Sequence, residues 1–365
     1  MALVLKVCTS SLFLASLLGL IQSVKVMSFN VGMITYINHY RIRKQNIIKT
    51  LTAADYDVMC LQEMPFGRDI ALLKSKLDDS VTLHTAPLYQ ETMFFGSVNA
   101  PPCHNAPLTT ACVFVNCLSY VGDLAALAEC AAGCGLLTES QGCITCLLAS
   151  GWSANRCFNY LRAEEINIPG VVLLSKRKVN SVKVVDYEPN VKQFSKRAYI
   201  EAEIEGVGTV FCSHSTSNSN TLYYEPNLKD VYASLAEQNL ADSRKLTTAA
   251  NLVDRPVIAG DLNMGPSIPG QDVGAEFPDS YNHFLSEGFT SPYVDLARNC
   301  TFCASNPLTG DWETNEVLDH VMIRDHTVIS SKRVYDRNIP GRRYTMSDHY
   351  GVEVEVTDKP TCVAC

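Results

Sequence analysis

The stretch Val257-Ile258-Ala259-Gly260-Asp261-Leu262-Asn263 is an apolar, β-branched run that ends in two polar residues. Runs of this length and composition read as buried strands, so the polar pair is expected at a strand end. The design recurs along the chain. Val26-Met27-Ser28-Phe29-Asn30, Val58-Met59-Cys60-Leu61-Gln62-Glu63 and Val210-Phe211-Cys212-Ser213-His214 precede it, and Leu318-Asp319-His320 and Ser347-Asp348-His349 follow. If these ends converge, they gather Asn30, Glu63, His214, Asp261, Asn263, Asp319, Asp348 and His349 in one pocket. Oxygen donors of this kind suit Mg²⁺, Mn²⁺ or Ca²⁺ better than Zn²⁺. Two imidazoles beside a hard cation equip such a pocket for acid–base hydrolysis of a phosphate ester.

Each cluster also has a plainer reading. Residues two apart on a strand share a face, so Asp261 and Asn263 are expected to point into one pocket, yet the tetrapeptide from Gly260 also suits an Asx-type turn. The same alternation sets Asp319 and His320 on opposite faces, so only one of them serves the pocket. His214 shares a face with Cys212 and Val210, as a core histidine would. Ser347-Asp348-His349 fits a loop histidine beside a capping carboxylate.

Strand-like runs cover residues 24–31, 57–61, 171–175, 182–187, 197–204, 209–213, 256–259, 320–323 and 352–356. Helical stretches are expected at residues 41–53, with Ile47, Ile48 and Leu51 on one face, at 69–77, and at 230–252 with Asp230 as N-cap. Strands and helices mixed throughout imply an α/β or α+β chain. With 365 residues a large core is attainable, and a net charge of −8 argues weakly against strong non-specific nucleic-acid binding.

Residues 1–23 read as a secretory signal peptide: Lys6, then an apolar stretch too short to span a bilayer, then Gln22-Ser23. A mature chain starting at Val24 would be secreted, and it would keep 14 of the 15 cysteines, an even number suited to disulfides. Eight of them, from Cys103 to Cys157, fall within residues 97–163, which are rich in Ala, Leu and Gly and nearly free of Lys and Arg. This reads as a stapled insertion of short helices (118–132 and 136–149), serving as packing decoration or as an apolar flap for lipid or a partner. Three Cys-x-x-Cys pairs, Cys143/Cys146, Cys300/Cys303 and Cys362/Cys365, read as disulfides in a secreted chain. Cys60 and Cys212, inside strand runs, are either buried thiols or partners of one another. Asn299-Cys300-Thr301 is a formal glycosylation sequon.

The order Asn30, Gln62-Glu63, His214, Gly260-Asp261-Leu262-Asn263, Asp319 and Ser347-Asp348-His349 resembles the endonuclease/exonuclease/phosphatase superfamily, the group of pancreatic deoxyribonuclease and the neutral sphingomyelinases. The resemblance runs from Val24 to about Val356 and omits the insert. It implies a four-layer sandwich, two packed β-sheets flanked by helices, over a catalytic domain at residues 24–358, followed by a tail at 359–365. By family motif Asn30 and Glu63 bind the divalent cation with Asp348 close by, while Asp261 and Asn263 position water and phosphate. His349 is then the general base, oriented by Asp319, and His214 meets the phosphate as acid or charge stabiliser. The carboxylate that pairs with this histidine in deoxyribonucleases has Glu91 as its candidate.

Departures from the pattern bear on substrate. Met64-Pro65-Phe66-Gly67 stands where duplex-binding members carry basic residues, although Arg68 is near, and residues 170–176 look like the corresponding strand of sphingomyelinases. The expected activity is metal-dependent (Mg²⁺, or Mn²⁺ or Ca²⁺) hydrolysis of a phosphodiester, with a phospholipid head group favoured and peripheral membrane contact through the insert. No obligate protein partner is inferred. The alternatives are a deoxyribonuclease-like endonuclease, using Lys176-Arg177-Lys178, Lys196-Arg197 or Arg342-Arg343 as a basic face, and an inactive lipid- or partner-binding module.

Overall fold

The computed structural model describes residues 23–92, 99–120, 124–152, 154–218 and 231–357. Residues 1–22 of the segment read as a signal peptide, Asp230 and the tail with Cys362 and Cys365 lie outside the described residues, whereas Ser23, the last residue of that segment, opens the first strand. The strands are β1 (Ser23–Asn30), β2 (Val58–Gln62), β3 (Thr82–Thr85), β4 (Glu91–Thr92), β5 (Asn99–Ala100), β6 (Val172–Ser175) and β7 (Val179–Asp186). They continue with β8 (Ala198–Ile204), β9 (Gly208–His214), β10 (Val257–Asp261), β11 (Asp319–Ile323), β12 (Val328–Val334) and β13 (Gly351–Thr357). The helices are α1 (Tyr40–Ala53), α2 (Gly67–Lys74), α3 (Pro107–Asn116), α4 (Leu124–Gly133), α5 (Gln141–Ala149), α6 (Ala154–Cys157), α7 (Leu235–Ala250), α8 (Pro278–Ser286) and α9 (Pro292–Leu296).

Two sheets face each other. One runs β12-β13-β1-β2-β6-β3 and the other β11-β10-β9-β8-β7. Each has one parallel pair, β1 with β2 and β9 with β10, so in each sheet two neighbouring strands end at the same edge. The period of two sorts the side chains. Val24, Val26, Val58, Cys60, Val210, Cys212, Val257, Ala259 and Val321 fill the space between the sheets. Met27, Phe29, Met59 and Leu61 face the other way, onto Ile47, Ile48 and Leu51 of α1. Phe211, Ile258 and Met322 pack on Leu246 and Ala250 of α7 and Phe284 of α8. Helix, sheet, sheet, helix is the four-layer sandwich that the resemblance implied. Cys60 and Cys212 are partners, and their disulfide joins the two sheets through the core.

The Lys176-Arg177-Lys178 run follows Ser175, which pairs with Val58 at the start of β2 and so at the opposite end of the sheet from Glu63. Helix α7 starts at Ser234, whose hydroxyl accepts from Glu237 N at 3.1 Å, later than the expected start near residue 230. The alternation did not reveal β3, a four-residue edge strand, or β12, in which none of the seven residues is fully buried and Ile329 and Lys332 are exposed.

The insert is helical and has its own apolar centre, formed by Val113, Leu136, Ile144 and Leu147 among others. Four disulfides hold it: Cys103–Cys143, Cys112–Cys134, Cys117–Cys130 and Cys146–Cys157. Cys143 and Cys146 therefore do not pair with each other, as their spacing had suggested. Each sits on α5 and reaches outward to a different segment. Cys300 and Cys303 do pair. The insert docks on Ile34, Ile37, Phe66, Phe194 and Leu308, which lie on loops and not on the sheets. Arg156 of α6 adds an anchor, 3.1 Å from Glu164 and stacked 3.4 Å over the Phe66 ring.

Candidate hydrolytic centre

The parallel pairs deliver the site. Asn30 closes β1, and in register Asp261 of β10 lies between His214 of β9 and Asp319 of β11. Because Val26, Cys212, Ala259 and Val321 point between the sheets, so do Asn30, four residues on, His214 and Asp261, two residues on, and Asp319, two residues before Val321 on the antiparallel β11. Asn30 Nδ2 donates to Asp261 Oδ2 across the sheets at 2.8 Å. His349 Nδ1 lies 2.8 Å from Asp319 Oδ2, and its Nε2 lies 3.7 Å from Asp261 Oδ2. On the other side His214 Nε2 is 3.5 Å from the same Asp261 oxygen. Asp261 thus sits between two imidazoles, and every one of these residues is buried.

Strand geometry alone does not place Glu63 and Asn263. Period two would send Gln62 inward, and it does: Gln62 Nε2 contacts Ser28 Oγ and Cys60 Sγ. Glu63 follows with φ 58°, and Asn263 has φ 51°, left-handed values that re-aim the side chain after the strand. Asn263 Nδ2 donates to Ser215 O at 3.0 Å and its backbone N to Asp261 Oδ1 at 3.1 Å. The alternation expected for Asp261 and Asn263 is therefore replaced by a turn that the carboxylate itself caps. Gly260 is dictated by packing, since a Cβ there would stand 2.2 Å from Ser213 O on β9.

Asp348 lies beside Glu63, and Ser347 ties both ends together by donating to Asn30 O at 2.7 Å and to Asp348 Oδ1 at 3.0 Å. Gly32, at φ 52°, comes so close to Asp348 Oδ1 that a Cβ would lie 2.8 Å from it. Burial pushes the Glu63 carboxyl up, and the neighbouring Asp348 adds to this, while a hydrogen bond from Asn30 opposes it. Two carboxylates and an amide crowded in this way, beside a cradle that tolerates only glycine, fit a hard cation. The triple Asp261, Asp319 and His349 also has its donor atoms within 4.8 Å of one another. There His349 Nδ1 meets Asp319 Oδ2, while Asp319 Oδ1 is buried without a hydrogen-bond partner among the described residues.

His320 turns away from the site, as expected for one member of that pair. Its Nε2 lies 2.7 Å from Met264 O and its Nδ1 3.1 Å from Ser291 Oγ, in the helix-facing layer. Glu91 does not reach His214; the Tyr89 hydroxyl donates to it on β4. Thr301 of the sequon accepts from Leu318 N and Asp319 N at 3.0 and 3.1 Å, which fixes the start of β11.

Two arginines had no place in the sequence reading of the site. Arg197 Nη1 lies 2.6 and 2.7 Å from the two ring nitrogens of His214, and it is close to the charges of Glu63, Asp261 and Asp242. Lys196-Arg197 is thus not a solvated basic face: Arg197 is half-buried, and Lys196 is buried with its ammonium on the carbonyls of Glu188 and Pro189. The signal was available in the register, since Arg197 immediately precedes Ala198, the partner of His214. Arg43, buried on the apolar face of α1, donates to the carbonyls of Gly32, Asn38 and Met346 at 2.8, 2.9 and 3.0 Å. It holds together the loops that carry Asn30 and Asp348.

The electrostatics separate the two imidazoles. Burial opposes charge on His349, but Asp319 and Asp261 outweigh it and hold the ring well above the usual histidine range. Burial and the Arg197 cation push His214 well below that range, so it is neutral.

The sequence profile of the Endonuclease/Exonuclease/phosphatase family matches residues 27–349. No curated protein matches the chain. Among solved structures, D. rerio TDP2 complexed with single-strand DNA product superposes with a TM-score of 0.52 at 11% identity, over 92% of this chain and 99% of that one. Truncated Caenorhabditis elegans TDP2 gives 0.51 at 13% identity over 92% and 98%. SmcL gives 0.49 at 15% identity over 92% and 99%. At such identities the likeness to the two TDP2 structures is one of fold, and it agrees with the sandwich described above. The extent of the profile match, which takes in every strand-end cluster from Asn30 to His349, decides the assignment: the chain belongs to the Endonuclease/Exonuclease/phosphatase family, hydrolases of phosphate mono- and diesters.

Proposed function

We propose that the protein is a secreted, divalent-metal-dependent phosphodiester hydrolase of the sphingomyelinase/phospholipase C type. The observation that carries the reading is the linked array Asp319–His349–Asp261–His214–Arg197 beside Asn30, Glu63 and Asp348. Asp319 fixes the His349 ring by accepting from Nδ1, and Nε2 takes a proton from the attacking water in the rings that have released the extra proton which Asp319 and Asp261 favour. Asp261, held by Asn30, orients that water. Neutral His214 and cationic Arg197 donate to the phosphate oxygens, so positive charge at this position comes from the guanidinium and not from an imidazolium. Asn30, Glu63 and Asp348 would hold Mg²⁺, Mn²⁺ or Ca²⁺, and the cation supplies charge against the phosphate oxygens as negative charge builds.

Three features support the lipid side of the reading. The Lys176–Lys178 run lies at the far end of the sheet. Arg68, near Glu63, is engaged by Glu164 and by the carbonyl of Arg162. The insert, docked on the loops after β1 and β2, exposes Leu108, Val115 and Leu161 almost fully. Six disulfides among the described residues support an oxidising compartment. A deoxyribonuclease-like reading draws on exposed Arg342 and Arg343, shortly before Ser347. Purified protein with Mg²⁺, assayed against sphingomyelin vesicles and plasmid DNA, separates the two. Vesicle hydrolysis that is lost on chelation is expected, and cleavage of DNA alone would overturn the lipid reading.

A further inference from the structure

Helix α7 buries a face that changes character along its length. In its second half Leu246 and Ala250 pack on the sheet, whereas in its first half the buried residues are Gln238, Asn239, Asp242 and Ser243. Apolar burial is enough to hold a helix down, and buried polar groups need partners. Two capping bonds fix where the helix starts: Ser234 Oγ accepts from Glu237 N at 3.1 Å, and Glu237 Oε2 from Ala233 N at 2.7 Å. That start turns Asn239 and Asp242, three residues apart, onto one face.

The face meets the exits of β9 and β10. Asn239 Nδ2 donates to Thr216 O at 2.6 Å and to Leu262 O at 3.0 Å. Both partners are carbonyls, so the amide nitrogen has to face them, and its two N–H groups go to two different strand exits. Asp242 Oδ2 accepts from Thr216 N and Oγ1 at 3.0 and 2.7 Å. Thr216 stands two residues after His214, and Leu262 lies between Asp261 and Asn263. The paired ladder of β9 and β10 ends at His214 and Asp261, and Asn263 turns off with φ 51°. Asn239 carries the link past that end, next to the bonds Ser215 N to Asp261 O and Asn263 Nδ2 to Ser215 O. Across the sandwich, Arg43 of α1 gathers the carbonyls of the loops that carry Asn30 and Asp348. Each outer helix therefore holds one half of the centre.

We propose that Asn239, supported by Asp242, is the positioning residue of the phosphate half, setting His214 and Asn263 at the spacing that two oxygens of one phosphate require. The inference rests on the hydrolase reading given above. Asn239 lies behind the strand exits and acts through the backbone of Thr216 and Leu262. Without its amide two buried carbonyls lose their donor, and they regain one only if the exits shift to admit water. The donors of Asn30, Glu63 and Asp348 stand on the other half and keep their spacing.

The test uses bis(p-nitrophenyl) phosphate as a soluble diester and inorganic phosphate as a ligand, both with Mg²⁺. A misplacement of about 1 Å costs about 10²-fold in rate, and Asn239→Ala should lower kcat by about that factor. It should weaken phosphate binding, read by calorimetry, by about tenfold. Mg²⁺ binding without phosphate should stay within about twofold, as for an independent site. Thr216→Val keeps the side-chain size and removes one bond to Asp242, so it gives the same pattern in milder form should Asn239→Ala not fold. Ser243→Ala, which removes a buried hydroxyl that donates to Asn239 O, is the control: it should lower stability and leave phosphate binding alone. Unchanged kcat and phosphate binding per folded molecule in the Asn239 and Thr216 variants would overturn the inference and leave the hydrolase reading standing. Equal losses of phosphate and Mg²⁺ binding would also overturn it, because a general loosening does not select one half. Phosphate binding that needs Asn239, in a protein that hydrolyses no diester, would remove the hydrolase reading and keep the positioning role.

Discussion

The sandwich buries the inner faces of its strands around one inter-sheet disulfide, Cys60–Cys212, whereas the insert joins its short helices with four disulfides between Cys103 and Cys157. Long apolar strands in register fix their own ends, so polar groups there meet at hydrogen-bonding distance. Short helices bury too little surface to do this, and covalent links take over. The sandwich can therefore hold a charged, strained site, while the insert is free to leave Leu108, Val115 and Leu161 in solvent. On the proposed reading, chemistry belongs to one region and surface contact to the other.

The strongest break of that comparison removes chemistry from the sandwich. His349→Ala and Asp261→Asn should each cost about 10²–10⁴-fold in turnover of any diester, with the fold retained. Asp272→Asn, on an exposed loop, should be nearly silent in the same assay. Equal losses at Asp261 and Asp272 would return the Gly260–Asn263 segment to a mere turn.

Next come the staples. Replacing Cys60 and Cys212 with Ala opens a link across 152 residues, and replacing Cys117 and Cys130 opens one across 13. Chain entropy puts these at about 5 and about 3 kcal/mol. Denaturant unfolding should show the larger loss in the sandwich, with loss of activity following. Loss at Cys117/Cys130 should leave turnover of a soluble diester in place. The reverse ranking would mean that the insert, and not the sheet pair, holds the domain together.

Much of this division could be read from the chain. Alternation placed Asn30, His214 and Asp261 on inner faces because Val26, Cys212 and Ala259 precede them in phase. It failed at Glu63 and Asn263, where a left-handed residue breaks the phase at the strand exit. It also missed Arg197, which looks like half of a surface basic pair until the β8–β9 register sets it beside His214. Arg43 was hidden for another reason. A helix that turns one guanidinium inward to bind six loop carbonyls looks, from spacing alone, like any amphipathic helix.

A smaller effect sharpens the contrast in buried charge. The sandwich buries Asp242, whose carboxylate accepts from Thr216 N and Oγ1; the described insert residues bury no carboxylate. Burial pushes Asp242 up to about 7, from an ordinary value of 3.8. A folded-state value above the unfolded one means that the folded chain binds the extra proton. Its stabilising contribution is complete below about pH 4 and lost as pH rises towards 7. Asp242→Asn should flatten that part of the stability profile, by a few kcal/mol at most. A profile with the same slope in both proteins would show that the Arg197 cation already compensates the charge.

The last test sits on the insert. Leu108, Val115 and Leu161 are 85%, 82% and 95% exposed on a surface that carries few charges. An aliphatic side chain gains about 1.5–3 kcal/mol when fully buried, and partial insertion at a lipid interface gains a fraction of that. Leu108→Glu with Leu161→Glu should therefore lower vesicle binding and vesicle hydrolysis by roughly tenfold, with turnover of a soluble diester as the reference. Because the contact is apolar, raising ionic strength should leave binding of the native protein to neutral vesicles unchanged, whereas attraction between charges would fade within a Debye length of about 10 Å at 0.1 M salt. Vesicle hydrolysis that keeps pace with the soluble reference in the double variant would show that the exposed leucines face away from the lipid. The insert would then act only as a wall against the loops after β1 and β2, and access to the bilayer would have to come from the sandwich itself.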